Sequence, residues 1–298
     1  MGGQRLGIDL GGTKIEAALL DSEGDIVWRE RVATPQDDYA AILQAVHDLQ
    51  RRGEAEAGRE LPLGIGTPGA LSPQSGLLRN ANTVCMNGKP LLQDLQRLLR
   101  RPVRIANDAN CFALSEAVDG AAADGRVVFG VIVGTGTGGG VVIERQLLEG
   151  RHAIGGEWGH NPLPWPRHFD HARPCYCGKS GCIETYLSGP GFAANARADA
   201  GLELDARQIV ERARAGDARC REQLDRYHDQ LARALAHVIN LIDPDVIVLG
   251  GGMSNIDSLY RELPSRLSEY VFSDFIDTPV RPPRHGDSSG VRGAAWLW

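Results

Sequence analysis

Residues 6–21 read LGIDLGGTKIEAALLD: an apolar run, a double glycine followed by Thr-Lys, and a second apolar run. Runs of this length and composition punctuated by glycine predict two strands joined by a tight turn. After the turn SEGD, the stretch IVWRERVAT predicts a third strand, so the chain opens as a meander instead of sending its first strand into a helix. The same grammar returns at residues 127–150, VVFGVIVGTGTGGGVVIERQLLEG. Two halves that begin alike imply a duplicated α/β fold of two lobes with a central cleft.

Between these landmarks Tyr39, Ile42, Leu43, Val46 and Leu49 recur at helical spacing, predicting an amphipathic helix that frays in RRGEAEAG. LPLGIGTPG predicts a buried strand with a Gly/Pro loop, and LLQDLQRLLRR a helix. PVRIANDAN returns as a strand with Asn107 and Asp108 at its end, and CFALSEAVDGAAADG predicts a helix ending near Gly120. Residues 150–190, rich in Gly, Pro, His and Cys, read as irregular. Leu224, Tyr227, Leu231, Leu235, Val238 and Ile242 stripe a helix stopped by Asp243-Pro244, and VIVLGGG is a buried strand ending in glycines.

A chain of 298 residues, 42% hydrophobic and 23% charged with a net charge of −6, has the composition of a weakly acidic globular protein. Its length suggests two lobes, and its acidity disfavours nucleic acid, whose phosphates select basic surfaces. The N-terminus carries no apolar signal-peptide core, and no run approaches the roughly 18 apolar residues of a membrane span. The expected location is the cytoplasm, where thiols stay reduced.

Three glycine turns close three apolar strands: Gly11-Gly12-Thr13-Lys14, Gly134-Thr135-Gly136 with the glycines that follow, and Gly250-Gly251-Gly252. Glycine lets backbone amides approach a phosphate where a side chain would block them. A P-loop needs Gly-Lys-Ser/Thr opening a helix, and a dinucleotide fingerprint also needs its glycines to open one; here strands follow. A phosphate-binding hairpin remains, with Asp9 placed to partner magnesium-bound phosphate or merely to cap the turn. Asp108 is a carboxylate that could act as general base on a hydroxyl nucleophile, or could cap the helix after it.

CYCGKSGCIE, residues 175–184, holds half of the six cysteines. In a reducing compartment Cys-x-Cys-x4-Cys reads as three zinc thiolates in search of a fourth ligand, usually histidine. His160, His168 and His171 all satisfy the spacing. The scattered Cys85, Cys111 and Cys220 read as small buried hydrophobes.

GIDLGGTK, GTGTGGG, EWGH, CYCGKSGCIE, DPDVIVLGGG and HGDSSGVRGAAW, taken in this order along essentially the whole chain, resemble the ROK family of repressors and sugar kinases within the actin-like ATPase superfamily. The resemblance implies a two-lobed, ribonuclease H-like duplicated fold with a central cleft and a zinc-containing loop. Its lobes would be residues 1–115, joined by a C-terminal helix at 286–298, and residues 116–285. By the same resemblance Asp108 is the base that activates the sugar hydroxyl. Asn82, Asn107, Asp108, Glu157, His160 and Glu184 hold the sugar, and His160, Cys175, Cys177 and Cys182 bind a structural zinc. Asp9, Gly11, Gly12, Thr13, Lys14, Gly134, Thr135, Gly136, Gly250 and Gly251 form the ATP turns, with Mg²⁺ accompanying ATP, and a homodimer is implied.

The family's repressors carry a DNA-binding domain ahead of the first phosphate turn; with that turn opening at Gly7, a kinase is expected here and not a repressor. A sugar-binding module without catalysis would be expected to lose Asp108 or a phosphate turn. CFALSEAVDGAA, GHNPLPW and the tail HGDSSGVRGAAWLW look most like the family's fructokinases, so the expected reaction is ATP-dependent phosphorylation of fructose at its 6-hydroxyl. N-acetylglucosamine, mannose and glucose are the alternatives.

Overall fold

The computed structural model describes residues 3–81 and 83–298. The chain divides into two compact units: one runs to Ala123 and includes Gly140–Gly155 and Arg284–Trp298, the other comprises Asp124–Gly139 and Gly156–Pro283.

The first unit is built on the opening meander. Strands β1 (Arg5–Leu10), β2 (Lys14–Leu20) and β3 (Ile26–Ala33) pair antiparallel, with Ile8 opposite Ala17 and Glu16 opposite Arg31. Helix α1 (Tyr39–Ala57) follows, then β4 (Leu63–Thr67), parallel to β1. The helix does not fray in RRGEAEAG: it continues to Ala57 and is closed by Gly58 in the left-handed conformation, whose N–H bonds back to the last turn. A small hairpin, β5 (Ala70–Leu71) with β6 (Leu78–Arg79), precedes α2 (Leu91–Leu99). Strand β7 (Arg104–Asn107) then adds parallel to β4 and passes directly into α3 (Asp108–Val118). Asp108 is therefore the first residue of a helix, not the end of a strand.

Side chains alternate across a strand, and β1 shows what that achieves. Leu6, Ile8 and Leu10 are wholly buried in a core with Ile42, Val46 and Leu49 of α1. Gly7 and Asp9 face the other way, toward the C-terminal helix (Ser289–Ala295). That helix lies so close that a Cβ on Gly7 would stand 2.1 Å from the Val291 carbonyl oxygen, and one on Gly64 of β4 1.8 Å from that of Ala294. Only glycine permits the approach.

The second unit begins with β8 (Val127–Val133), which leads into β9 (Thr137–Ile143); the division between units falls inside β9, so β10 (Gln146–Leu147), which completes a hairpin with β9, is counted with the first unit. Further on come α4 (Glu184–Leu187), α5 (Gly189–Ala200), α6 (Ala206–Arg214) and α7 (Ala218–Ile242). Strand β11 (Val246–Gly250), parallel to β8, is followed by α8 (Asp257–Leu267) and β12 (Val280–Arg281). The two sheets run β3-β2-β1-β4-β7 and β10-β9-β8-β11-β12, the same order of third, second, first, fourth and fifth strand. The duplication heard in the two glycine-turn stretches is thus carried through the complete sheet order. No helix among the described residues is long and apolar enough to cross a membrane.

Candidate functional site

The first unit contributes two acids. Asp9, on the C-terminal-helix face of β1, has its carboxyl pushed up to about 6 by burial, then by the charges of Asp108 and Glu16, with Lys14 and Arg31 opposing. Asp108, in the first turn of α3, stays open to solvent while its carboxylate accepts the N–H of Ala109 at 2.8 Å. The surrounding protein disfavours its charge and raises its pKa despite that bond. Asn107 is the N-cap, its amide oxygen accepting the Asn110 N–H at 2.7 Å, so the capping alternative describes Asn107 and leaves Asp108 free to do chemistry. Asn82 lies outside the described residues.

The Gly11–Lys14 turn is braced by residues just after β3. The Thr34 hydroxyl donates to the Gly11 carbonyl at 2.7 Å and the Gln36 amide to that of Gly12 at 3.0 Å. Lys14 sits beside Glu16, which is buried between Arg29 and Arg31.

In the second unit the turns after β8 and β11 lie side by side at the carboxyl ends of two parallel strands, where α/β sheets receive ligands. Gly251 has φ +80°, and a Cβ there would stand 2.4 Å from the Val133 carbonyl oxygen, which makes it the position that demands glycine. Beside these turns a cavity of about 730 Å³ opens, lined by Gly134, Thr135 and Gly252, by apolar Val210, Met253 and Ile256, and by Arg207, Glu211, Arg214 and Asn255. Its size falls in the range of roughly 300–1,000 Å³ that holds small ligands and cofactors. Gly136, Gly250 and Gly251 shape the turns without lining this cavity.

The later glycines of GTGTGGG do other work. A Cβ on Gly139 would press on Trp158, whose indole N–H donates to the Gly138 carbonyl at 2.8 Å, and one on Gly159 would stand 2.0 Å from the Thr137 carbonyl oxygen. These glycines seat the EWGH segment against β9. Glu157 then precedes, and His160 closes, a single 3-10 turn, Trp158–His160. Glu184 begins α4, its carboxylate accepting the Thr137 N–H at 2.9 Å.

His160, Cys175, Cys177 and Cys182 bring one ligand atom each within 4.8 Å of one another, which selects His160 over His168 and His171. Antiparallel bridges Pro162–Cys182 and Pro174–Ser180 fold the loop, and Gly178 and Gly181 turn it with positive φ. His160 Nδ1 lies 3.6 Å from Cys175 Sγ, and Cys177 Sγ lies 3.6 Å from Cys182 Sγ. A tetrahedral zinc with bonds of about 2.3 Å to sulfur and 2.0–2.1 Å to nitrogen has ligand–ligand edges of about 3.6–3.8 Å. The donor set and spacing fit, and four protein ligands leave no open position, the mark of a structural site.

Sequence reasoning missed how this loop is fastened. Arg233 of α7 and Asp170, both wholly buried, pair at 2.8 Å. Arg233 also donates to Asp229 and to the carbonyls of Pro164 and Trp165, while Gln230 donates to Asp170 at 2.8 Å. The signal available was an arginine inside the apolar stretch LARALAHV. Also missed was Glu116, buried in α3, whose carboxylate gathers the Ser289 hydroxyl and the Arg284 and His285 N–H groups of the C-terminal segment.

Residues 5–298 match the ROK family. An N-acetyl-D-glucosamine kinase of Pectobacterium carotovorum is 44% identical over 296 residues, covering 98% of this chain and 97% of that protein. Among solved structures, a ROK hexokinase from Thermus thermophilus is similar with TM-score 0.88 and 31% identity, covering 98% of this chain and 97% of that one. A ROK glucokinase from Streptomyces griseus, in complex with glucose and AMPPNP, follows at TM-score 0.76 and 26% identity over 99% of each chain. The chain belongs to the ROK family, with that family's two-lobed fold. The expectation of a fructokinase is not supported: the curated relatives at 40–44% identity are N-acetyl-D-glucosamine kinases. GHNPLPW and the C-terminal tail, two of the segments on which fructose rested, are tied to Arg233 and to Glu116 respectively.

Proposed function

We propose that this ROK-family member is an ATP-dependent sugar kinase that phosphorylates N-acetyl-D-glucosamine at its 6-hydroxyl. The observation that carries the substrate is the 44% identity, spanning nearly both whole chains, with an N-acetyl-D-glucosamine kinase. The chemistry is supported by Asp108, a solvent-reached carboxylate whose raised pKa brings its basicity nearer the working pH, as a general base requires.

In this reading Asp108 accepts the proton of the sugar hydroxyl as that oxygen attacks the γ-phosphorus of ATP and the bond to the β,γ-bridging oxygen breaks, leaving ADP. Asn107, Glu157, His160 and Glu184 bind sugar hydroxyls, with Asn82 a further candidate. The backbone amides of the Gly11–Thr13 and Gly134–Gly136 turns hold phosphate oxygens, and the cavity beside Gly252 takes the nucleoside. Phosphoryl transfer depends on positioning and charge stabilisation, which such turns provide without rearrangement during the reaction. Magnesium, when bound with ATP, neutralises phosphate charge; Asp9 and Asp108 are the carboxylates available to orient it or its waters. Zinc, when bound by His160, Cys175, Cys177 and Cys182, supplies rigidity to the loop that carries His160 and Glu184.

The test is ADP release with N-acetyl-D-glucosamine, N-acetyl-D-mannosamine, D-glucose, D-mannose and D-fructose. The highest kcat/KM is expected for N-acetyl-D-glucosamine, and a higher value for any other sugar overturns the substrate assignment.

A further inference from the structure

Tyr176 stands between two of the zinc-type cysteines, and 77% of its surface is exposed. Its hydroxyl nevertheless has a defined partner, His160 Nε2 at 3.0 Å, and the two rings meet edge to face with centroids 5.1 Å apart. Nδ1 of the same imidazole points into the thiol cluster, 3.6 Å from Cys175 Sγ. With Nδ1 engaged as a ligand, Nε2 carries the ring proton and donates, so the phenol oxygen is the acceptor.

Resting on the reading that His160 binds the hexose, we propose that Tyr176 is a surrogate for a sugar hydroxyl: in the sugar-free protein its phenol takes the Nε2–H that the substrate needs, and the sugar displaces it. A sugar hydroxyl offers the same acceptor oxygen. The exposed Tyr176 side chain can leave by rotation about χ1 while its backbone stays in the loop, because what holds it is the hydrogen bond and the edge-to-face contact with His160. The exchange makes Tyr176 a specificity element. A hexose that presents a well-placed hydroxyl to Nε2 recovers the lost hydrogen bond, and one that does not must leave Nε2–H unpaired or the phenol in its way.

The sign of this effect distinguishes it from a support or a direct contact. Removing the phenol oxygen removes a competitor, and one net hydrogen bond corresponds to about a two- to tenfold change in an equilibrium constant. Tyr176→Phe is therefore expected to bind N-acetyl-D-glucosamine about two- to tenfold more tightly, measured calorimetrically without nucleotide. Its KM for the sugar should fall in parallel, with kcat within about twofold and zinc content equal to that of the unsubstituted protein. Unchanged or weaker sugar binding with zinc retained overturns the surrogate role, and loss of zinc overturns it in favour of a phenol that buttresses the metal loop. If the unsubstituted protein binds neither N-acetyl-D-glucosamine nor D-glucose, the sugar-kinase reading itself fails, a result separate from any difference between the two proteins.

Discussion

Gly290 leaves no room beside Asp9: a Cβ on Gly290 would stand 2.9 Å from Asp9 Oδ2. The C-terminal helix that places it there is fastened to α3 through the buried Glu116, which accepts the Ser289 hydroxyl at 2.8 Å, and through Asp119, which pairs with His285 and Arg292. The last residues of the chain thus set the surroundings of a carboxylate near its start.

Gly290→Ala should act on Asp9 before it acts on the fold. The added methyl displaces a side-chain carboxylate rather than backbone, so the helix can stay in place. We expect the KM for magnesium-ATP to rise about tenfold or more while the KM for the sugar changes by less than about twofold, both read from steady-state kinetics. Equal changes in both would point to a general loosening.

Asp9 should cost stability when ionised. Its folded pKa, about 6, lies above the ordinary 3.8, so its ionisation is easier in the unfolded chain. The native state therefore loses stability as pH rises from about 4 to 6, and the loss is complete above that window. At 1.36 kcal/mol per pKa unit the loss is at most about 3 kcal/mol. Asp9→Asn should be more stable than the parent at pH 7.5 in urea unfolding, with the advantage vanishing near pH 4. An advantage independent of pH would assign it to something other than ionisation.

Arg233→Leu should be strongly destabilising, because it strands the wholly buried Asp170 without its partner. Breaking a buried pair from one side costs about 3–5 kcal/mol. The loss should reach the zinc loop, since Arg233 also holds the Pro164 and Trp165 carbonyls. Urea unfolding and zinc retention on dialysis measure the two effects; a loss under about 1 kcal/mol would show that Asp170 finds another partner.

Protein purified without added metal should contain about one zinc per chain by elemental analysis, and Cys177→Ser should hold much less. Since the cluster has no open ligand position, chelation is expected to weaken sugar binding through loosening of the loop bearing His160 and Glu184. Full activity after complete zinc removal would separate the cluster from the site.

What could be read in the sequence was what local chemistry dictates. The strand–glycine–strand stretches at 6–21 and 127–150 carried the duplicated sheet order, because a tight turn between apolar runs has few alternatives. The thiol cluster was equally legible, but spacing alone could not choose among three histidines, since the choice is made by the bridge pairing Pro162 with Cys182. Asp108 was misplaced by a residue or two, onto a strand end, because β7 passes into α3 with no intervening loop and Asn107 serves as both last strand residue and cap. The roles of Gly139, Gly159 and Gly290 were hidden, because each is required by a segment distant in sequence. Identity of the sugar was hidden because a few shared motifs mark the family and not the member; identity along nearly the whole chain is what favours one relative over another.

The central claim is that Asp108 takes the proton from the sugar hydroxyl during transfer from ATP. Asp108→Asn, assayed for kcat with N-acetyl-D-glucosamine and for nucleotide and sugar binding by calorimetry, tests it most directly. General-base catalysis contributes about 10²–10⁴ in rate, so kcat should fall by at least 10² while both ligands still bind. Turnover within tenfold of the unsubstituted enzyme, with binding intact, would contradict it.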